Sequence, residues 1–178
     1  NNLKINSIIN VNLNSDNRFN LTQVMADTLK QCSKILSRKK PDLIILTGDR
    51  YEMLVFAMAS LMLSIPIAHI HGGEVTRGAM DDCIRHAITK MSHLHFVSST
   101  VYKERVKQLG EHPSTIYNVG SLGIDNLSRI AIANRENLQK FLKLKLKKKN
   151  FLITFHPETL KPGKNKKYIS ILIKSLSK

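Results

Sequence analysis

The 178-residue sequence contains no tryptophan, only two cysteines and few aromatic residues, at 6%. Cys32 and Cys83 are too few for a disulfide framework or a cysteine-based zinc module, and they favour a reducing compartment. The uncharged run 53–70 is interrupted by Pro66, so a buried helix followed by a buried strand explains it better than a membrane span. The chain has 42% hydrophobic residues, which is enough for a globular core.

Acidic residues are scarce relative to basic ones, and the net charge is +15. Residues 135–178 hold 13 lysine or arginine residues against 2 acidic residues, so the excess is concentrated there. The lysine-rich run 140–149 is not accompanied by an aromatic platform for base stacking or by a known nucleic-acid-recognition motif. We therefore predict no nucleic-acid partner. A basic nucleic-acid-binding protein is kept as an alternative, which would bind in a strongly salt-dependent way.

The sequence starts with Asn1, and no basic segment followed by an apolar segment comes next. This start argues against a signal peptide, and it suggests a piece of a longer polypeptide. Together with the few cysteines, it predicts a cytoplasmic location and no membrane partner.

Apolar residues follow helical and strand spacings in turn along most of the chain. Helices are predicted over 21–38, 51–64, 79–91, 101–109 and 123–134. Strands are predicted over 43–46, 65–70, 93–97 and 115–119. This alternation is typical of βαβ units, and it predicts an α/β fold with a Rossmann-like parallel sheet and flanking helices.

The basic stretch 135–150 interrupts the alternation and is predicted to be a linker helix. A new strand at 151–155 and a helix at 166–177 are predicted after it. We therefore predict an N-terminal Rossmann-like domain over 1–134, a basic linker over 135–150 and the start of a second domain over 151–178.

Polar residues follow three predicted strands, in segments 48–50, 69–74 and 156–158. Ligands of open parallel sheets bind beyond the carboxyl ends of the strands. Gly72 and Gly73 can let a backbone approach a ligand such as phosphate, or they can simply form a tight turn. Asp49 can equally be a simple helix cap.

Histidine and aspartate pairs add two further candidates. His69 and His71 alternate along a strand and could converge on one metal ion, but a third ligand of recognised spacing is missing, so we predict no metal. Asp81 and Asp82 begin a predicted helix, where acidic residues are favourable even without another role.

Several motifs carry a family resemblance. They are PDLIILTGDRYE at 41–52, IAHIHGGEVT at 67–76 and DDCIRHAITK at 81–90, followed by shorter matches at 92–96, 118–121 and 154–157. Together they closely resemble the hydrolysing UDP-N-acetylglucosamine 2-epimerases of bacterial sialic-acid or capsule synthesis. The resemblance implies a two-domain, glycosyltransferase-B-like fold, of which this chain would lack the first strand and most of the second domain. It also implies that these residues alone are inactive.

The implied reaction eliminates UDP from UDP-N-acetylglucosamine and adds water to the resulting glycal, which releases N-acetylmannosamine. No cofactor or metal is implied, the partner is a UDP-sugar, and the parent protein is expected to be a homo-oligomer. Two alternatives stay open: a UDP-diacetamido-sugar 2-epimerase serving legionaminic acid, and a glycosyltransferase or other nucleotide-sugar-binding protein.

The resemblance also implies roles for individual residues. Asp49 and Asp81 match catalytic acids, and His156 resembles a histidine contributed by the second domain. His71 occupies a position where other branches place a catalytic glutamate, so either His71 or the nearby Glu74 would take that role. Substrate contacts are implied for Arg50, Gly72, Gly73, Arg85 and His86.

Overall fold

The computed structural model describes residues 4–11, 18–158 and 162–176. The chain divides into two compact units, Asn1–Ser121 and Leu122–Lys178. Every helix in the described parts of the chain is too short or too polar to cross a membrane.

Helices and strands alternate along the first unit. The helices are α1 (Arg18–Lys39), α2 (Tyr51–Met62), α3 (Asp81–Met91) and α4 (Thr100–Gln108). The strands are β1 (Ile44–Thr47), β2 (Ile67–Ile70), β3 (Leu94–Val97) and β4 (Ile116–Asn118). Each lies on a segment predicted from the apolar spacing, with ends that shift by three residues or fewer. Hydrophobic periodicity therefore predicted this unit correctly.

The strands form one parallel sheet in the order β1-β2-β3-β4. His69 of β2 lies opposite Leu46 of β1 and His95 of β3. Because the strands run in one direction, the loops after β1, β2 and β3 leave from the same edge of the sheet. This arrangement confirms the predicted α/β fold.

One face of the sheet and the helices form the core. Buried residues of α1 and α2, including Cys32 and Val55, pack together, and Ile67 and Ile88 join β2 to α3. Alternate residues of the strands point to the other face, where Ile45 is 62% exposed. The polar residues that follow the strands therefore lie beside a well-packed core, at the edge of the sheet where the strands end.

The second unit contains α5 (Leu122–Arg129), α6 (Arg135–Leu142) and α7 (Asn165–Leu176). Helix α6 begins at Asn134, whose side chain accepts from the main-chain N–H of Asn137, and it ends at Lys143 in a left-handed conformation. The predicted linker helix is therefore shorter than 135–150. The domain limits at 134 and 150 stay predictions.

The predicted strand at 151–155 is wrong, because residues 151–158 form neither helix nor strand. A strand needs a hydrogen-bonded neighbour, and no strand is present elsewhere in the described residues of this unit. The side chain of Leu152 is 99% exposed. An apolar run alone therefore did not determine a strand here.

Candidate active site

Arg85 connects the loops at the carboxyl edge of the sheet. It lies in α3 with its side chain only 5% exposed, and its Nη2 contacts Asp49 Oδ2 and lies 2.9 Å from Thr76 Oγ1. Its Nη1 donates to the main-chain oxygen of Glu74 at 2.8 Å and lies 3.4 Å from Asp82 Oδ1. One buried guanidinium thus holds the loop after β1, the loop after β2 and the start of α3.

The two aspartates at the start of α3 differ in their contacts. Asp82 Oδ1 accepts from the main-chain N–H of Thr76 at 2.9 Å as well as facing Arg85. The side chain of Asp81 makes no hydrogen bond or ion pair with the other described residues, and Asp81 is half-buried. Asp82 therefore closes the loop onto the helix, while the Asp81 carboxylate is left available for a ligand.

His71, Glu74 and Ser98 form a short hydrogen-bonded series. The His71 Nδ1 lies 2.9 Å from Glu74 Oε1, and Ser98 Oγ donates to the same oxygen at 2.8 Å. The side chains of His71 and Glu74 are 22% and 31% exposed, so both remain partly accessible. His71 directly follows β2 and has φ +68, a left-handed backbone conformation. Its side chain therefore does not continue the alternating side-chain directions of the strand.

His69 belongs to the core and does not share a site with His71. Its Nε2 lies 2.9 Å from the carbonyl oxygen of Gly48, and its Nδ1 lies 3.1 Å from Thr89 Oγ1. Because a carbonyl only accepts, Nε2 carries the proton and Nδ1 accepts from the threonine hydroxyl. The described residues contain no group of three or more metal-ligating side chains.

Gly72 and Gly73 are required by packing against neighbouring elements. A β-carbon at Gly73 would lie 2.5 Å from the main-chain oxygen of Tyr102 and 2.9 Å from Val106, and Gly73 has φ +79. A β-carbon at Gly72 would lie 3.0 Å from Thr89 Oγ1. The close approach that these glycines permit is therefore to α3 and α4 of this chain.

Two of the remaining predicted site residues, Arg50 and His86, make no side-chain hydrogen bond or ion pair with this cluster in the part of the chain that the structure describes. Arg50 is 69% exposed and pairs with Glu52 at 3.0 Å, although it directly follows Asp49. His86 is half-buried, and its buried Nδ1 has no hydrogen-bond partner among the described residues. His156 is an exposed residue of the second unit.

Sequence reasoning missed the contribution of Ser98 and understated that of Asp82. Ser98 comes directly after β3, and its position after a predicted strand was the signal that could have identified it. Asp82 shares a helix turn with Arg85, which the sequence spacing of three also indicated. The carboxyl edge therefore carries carboxylates, an imidazole and a guanidinium, a combination suited to proton transfer on a polar ligand.

Burial makes two histidines sensitive to acid. Burial lowers the pKa of His69 to about 4, against a smaller raising effect of the bond to Gly48. Burial also lowers the pKa of His95, partly opposed by Glu111. Because the unfolded chain binds a proton at these residues near pH 6.5 and the folded chain does not, stability falls as the pH drops below about 6.5. For His69 alone, we expect a loss of about 2 kcal/mol between about pH 7.5 and about pH 5.

This loss can be assigned to His69 by comparing variants. The His69→Gln chain keeps a side-chain N–H donor but does not titrate, so its free energy of unfolding in urea should fall less over the same interval. An exposed histidine provides the matched control, and His112→Gln should keep the full loss. An equal acid-induced loss in the wild-type and His69→Gln chains would contradict the assignment.

Comparison with known proteins gives the family. The profile described as UDP-N-acetylglucosamine 2-epimerase matches residues 1–178. A Campylobacter jejuni relative, "GDP/UDP-N,N'-diacetylbacillosamine 2-epimerase (hydrolyzing)", is 43% identical over 97% of this chain and 45% of its own length. "Polysialic acid biosynthesis protein P7" of Escherichia coli is 38% identical over 99% of this chain and 45% of its own length. The chain thus spans about half the length of these curated relatives.

Solved structures agree with the sequence relatives. The Methanocaldococcus jannaschii UDP-GlcNAc 2-epimerase in complex with UDP-GlcNAc and UDP gives a TM-score of 0.61 at 25% identity, covering 68% of this chain and 34% of that one. The Neisseria meningitidis UDP-GlcNAc 2-epimerase bound to UDP-GlcNAc also gives 0.61, at 19% identity and with 70% and 36% coverage, and it supports the fold alone. From its whole-length profile match and these relatives, the chain belongs to the UDP-N-acetylglucosamine 2-epimerase family.

Proposed function

We propose that the complete polypeptide carrying this sequence is a hydrolysing UDP-sugar 2-epimerase that converts UDP-N-acetylglucosamine and water to UDP and N-acetylmannosamine. The observation that carries the proposal is the cluster at the carboxyl edge of the sheet, in a chain of this family. There Arg85 contacts both the Asp49 carboxylate and the main-chain oxygen of Glu74, whose side chain pairs with His71. This product would enter the synthesis of sialic-acid-like sugars.

The residue types fit the chemistry of such a reaction. The C2 proton of the sugar leaves as the C1–O bond breaks, and the electron pair of that bond departs on UDP to leave a glycal. Water then supplies a hydroxyl to C1 and a proton to C2. These steps need proton acceptors and donors on both faces of the sugar, and Asp49, Asp81 and the His71–Glu74 pair supply them in this proposal. His156 would come from the second unit.

A second substrate class is favoured by a specific observation. The Campylobacter jejuni relative at 43% identity carries the name of a hydrolysing diacetylbacillosamine 2-epimerase. A Legionella pneumophila relative with a similar name is 35% identical over 84% of this chain. A UDP-diacetamido sugar is therefore the alternative substrate, at the same site and by the same reaction.

Incubation of the complete polypeptide with each UDP-sugar tests the function. We expect free UDP and a free 2-epimerised sugar, with UDP-N-acetylglucosamine turned over faster than UDP-N,N'-diacetylbacillosamine. The products are to be separated by anion-exchange chromatography and identified by proton NMR. A faster reaction with the diacetamido sugar would select the alternative substrate.

Two other outcomes would contradict the proposal. A non-hydrolysing epimerase would form UDP-N-acetylmannosamine and keep the nucleotide attached to the sugar. A glycosyltransferase or a binding protein would bind the UDP-sugar without releasing a free 2-epimerised sugar.

We also propose that the protein works as a homo-oligomer in the cytoplasm. Size-exclusion chromatography with light scattering would test the oligomeric state, and cell fractionation would test the location.

A further inference from the structure

The hydrogen bonds among Ser98, Glu74 and His71 determine which ring nitrogen of His71 carries the proton. An ionised carboxylate can only accept, so Glu74 Oε1 accepts from Ser98 Oγ at 2.8 Å and from His71 Nδ1 at 2.9 Å. The proton of the neutral His71 ring therefore lies on Nδ1. The lone pair of that ring lies on Nε2, which has no hydrogen-bond partner among the described residues.

The hydrogen bonds around Glu74 hold it in place, which suits a positioning role better than a reacting one. Its Oε1 already accepts two hydrogen bonds, and its main-chain oxygen is held by the buried Arg85 at 2.8 Å. Residues from three segments, the loop after β2, the loop after β3 and α3, thus contact this one residue. A carboxylate held in this way orients an imidazole and stabilises the imidazolium that forms when the imidazole takes a proton.

The backbone of His71 points to the same assignment. A histidine at φ +68 costs about 1 kcal/mol relative to the common conformations, and such conformations are found preferentially at functional sites. This turn separates His71 from His69, which lies in the core two residues earlier. The conformation directs the His71 ring to Glu74 instead of into the sheet.

We propose that His71 is the proton-transferring member of the His71–Glu74 pair, acting through Nε2, and that Glu74 and Ser98 are positioning residues acting through it. This proposal rests on the proposed function. In the elimination, the C2 proton of the bound sugar moves to the Nε2 lone pair, the C2–H electron pair forms the C1–C2 double bond, and the C1–O electron pair leaves on UDP. The imidazolium then gives its proton to water. Glu74 forms and breaks no covalent bond.

The tautomer of His71 can be measured directly on the 178-residue chain. Long-range proton–nitrogen NMR spectra at alkaline pH should show the Nδ1–H form for His71, whereas the Nε2–H form is the common one for unconstrained histidine. His69 serves as an internal reference, because its bond to the carbonyl of Gly48 requires the Nε2–H form. Glu74→Ala should return His71 to the Nε2–H form, and Ser98→Ala should not. An Nε2–H form of His71 in the wild-type chain would overturn the proposal.

Kinetics of the complete polypeptide test which group moves the proton. Asparagine at position 71 keeps an N–H donor toward Glu74 and tolerates a positive φ, so His71→Asn should fold normally. The variant lacks Nε2 and therefore cannot take up the proton. We expect it to lower kcat about a hundredfold or more with little change in KM. Ser98→Ala should lower kcat only a few-fold, and the exposed control His112→Asn should leave it unchanged.

A double variant separates the roles of the pair. Because Glu74 acts through His71, adding Glu74→Gln to His71→Asn should cost little beyond His71→Asn alone. Near-normal kcat in His71→Asn, or independent losses that multiply in the double variant, would overturn this proposal while leaving the function intact. Wild-type protein that releases no UDP from either sugar would count against the proposed function. The measured tautomer of His71 would then show separately whether His71 Nδ1 donates to Glu74.

Discussion

Replacing Arg85 with methionine should destabilise the first unit by about 3 kcal/mol, because the variant leaves carboxylates without their buried cation. Arg85 contacts Asp49 and Asp82 and binds the main-chain oxygen of Glu74. Asp49 and Asp82 are 22% and 30% exposed on their side chains, so water can recover part of the loss. Urea unfolding followed by circular dichroism measures the change in the free energy of unfolding.

An exposed arginine from the same edge of the sheet provides the matched control. Arg50 also pairs with a carboxylate at 3.0 Å, but it is 69% exposed, so Arg50→Met should cost less than about 1 kcal/mol. Arg85→Lys should lie between the two, because one ammonium keeps the charge but cannot serve all the acceptors that the planar guanidinium reaches. Equal losses for Arg85→Met and Arg50→Met would contradict the role assigned to the buried guanidinium.

Replacing Gly73 with alanine should destabilise the chain by about 3 to 4 kcal/mol, the combined cost of a left-handed alanine and of overpacking. The new β-carbon would lie 2.5 Å from the main-chain oxygen of Tyr102 and 2.9 Å from Val106. A main-chain oxygen inside α4 cannot move alone, so either the helix or the loop after β2 has to shift. The midpoint of urea unfolding should fall accordingly.

Gly120 separates the two contributions to this cost. It has the same φ of +79, but a β-carbon there would meet nothing within 4 Å. Gly120→Ala should therefore lose only the conformational part, about 1 to 2 kcal/mol. If Gly73→Ala and Gly120→Ala lost equal stability, the contact with α4 would not be the reason for glycine at position 73.

The elements of the first unit could be predicted from the sequence because their signal is local. Apolar spacing located the helices and strands, and their alternation predicted that the strands β1 to β4 are parallel. The strand predicted at 151–155 failed because pairing depends on a neighbour that apolar spacing does not reveal. Local pattern was therefore sufficient where the sheet supplied partners.

The site was only partly predictable. Strand ends indicated Asp49, His71 and Glu74, because parallel strands bring their carboxyl ends to one edge. The hydrogen bond of Ser98 to Glu74 joins residues 24 apart, and no short-range spacing predicts it. The environment of Gly73 likewise depends on α4, which only the folded chain brings near.

The contacts of Arg85 bear on how loops could be exchanged between members of this family. Its acceptors come from the segments after β1 and β2 and from the first turn of α3, so none of these segments is independent of the others. A graft that brings in only the segment after β2 must still offer a carbonyl and a hydroxyl to the same guanidinium. Engineering of substrate preference at this edge should therefore transfer the three segments as one cassette.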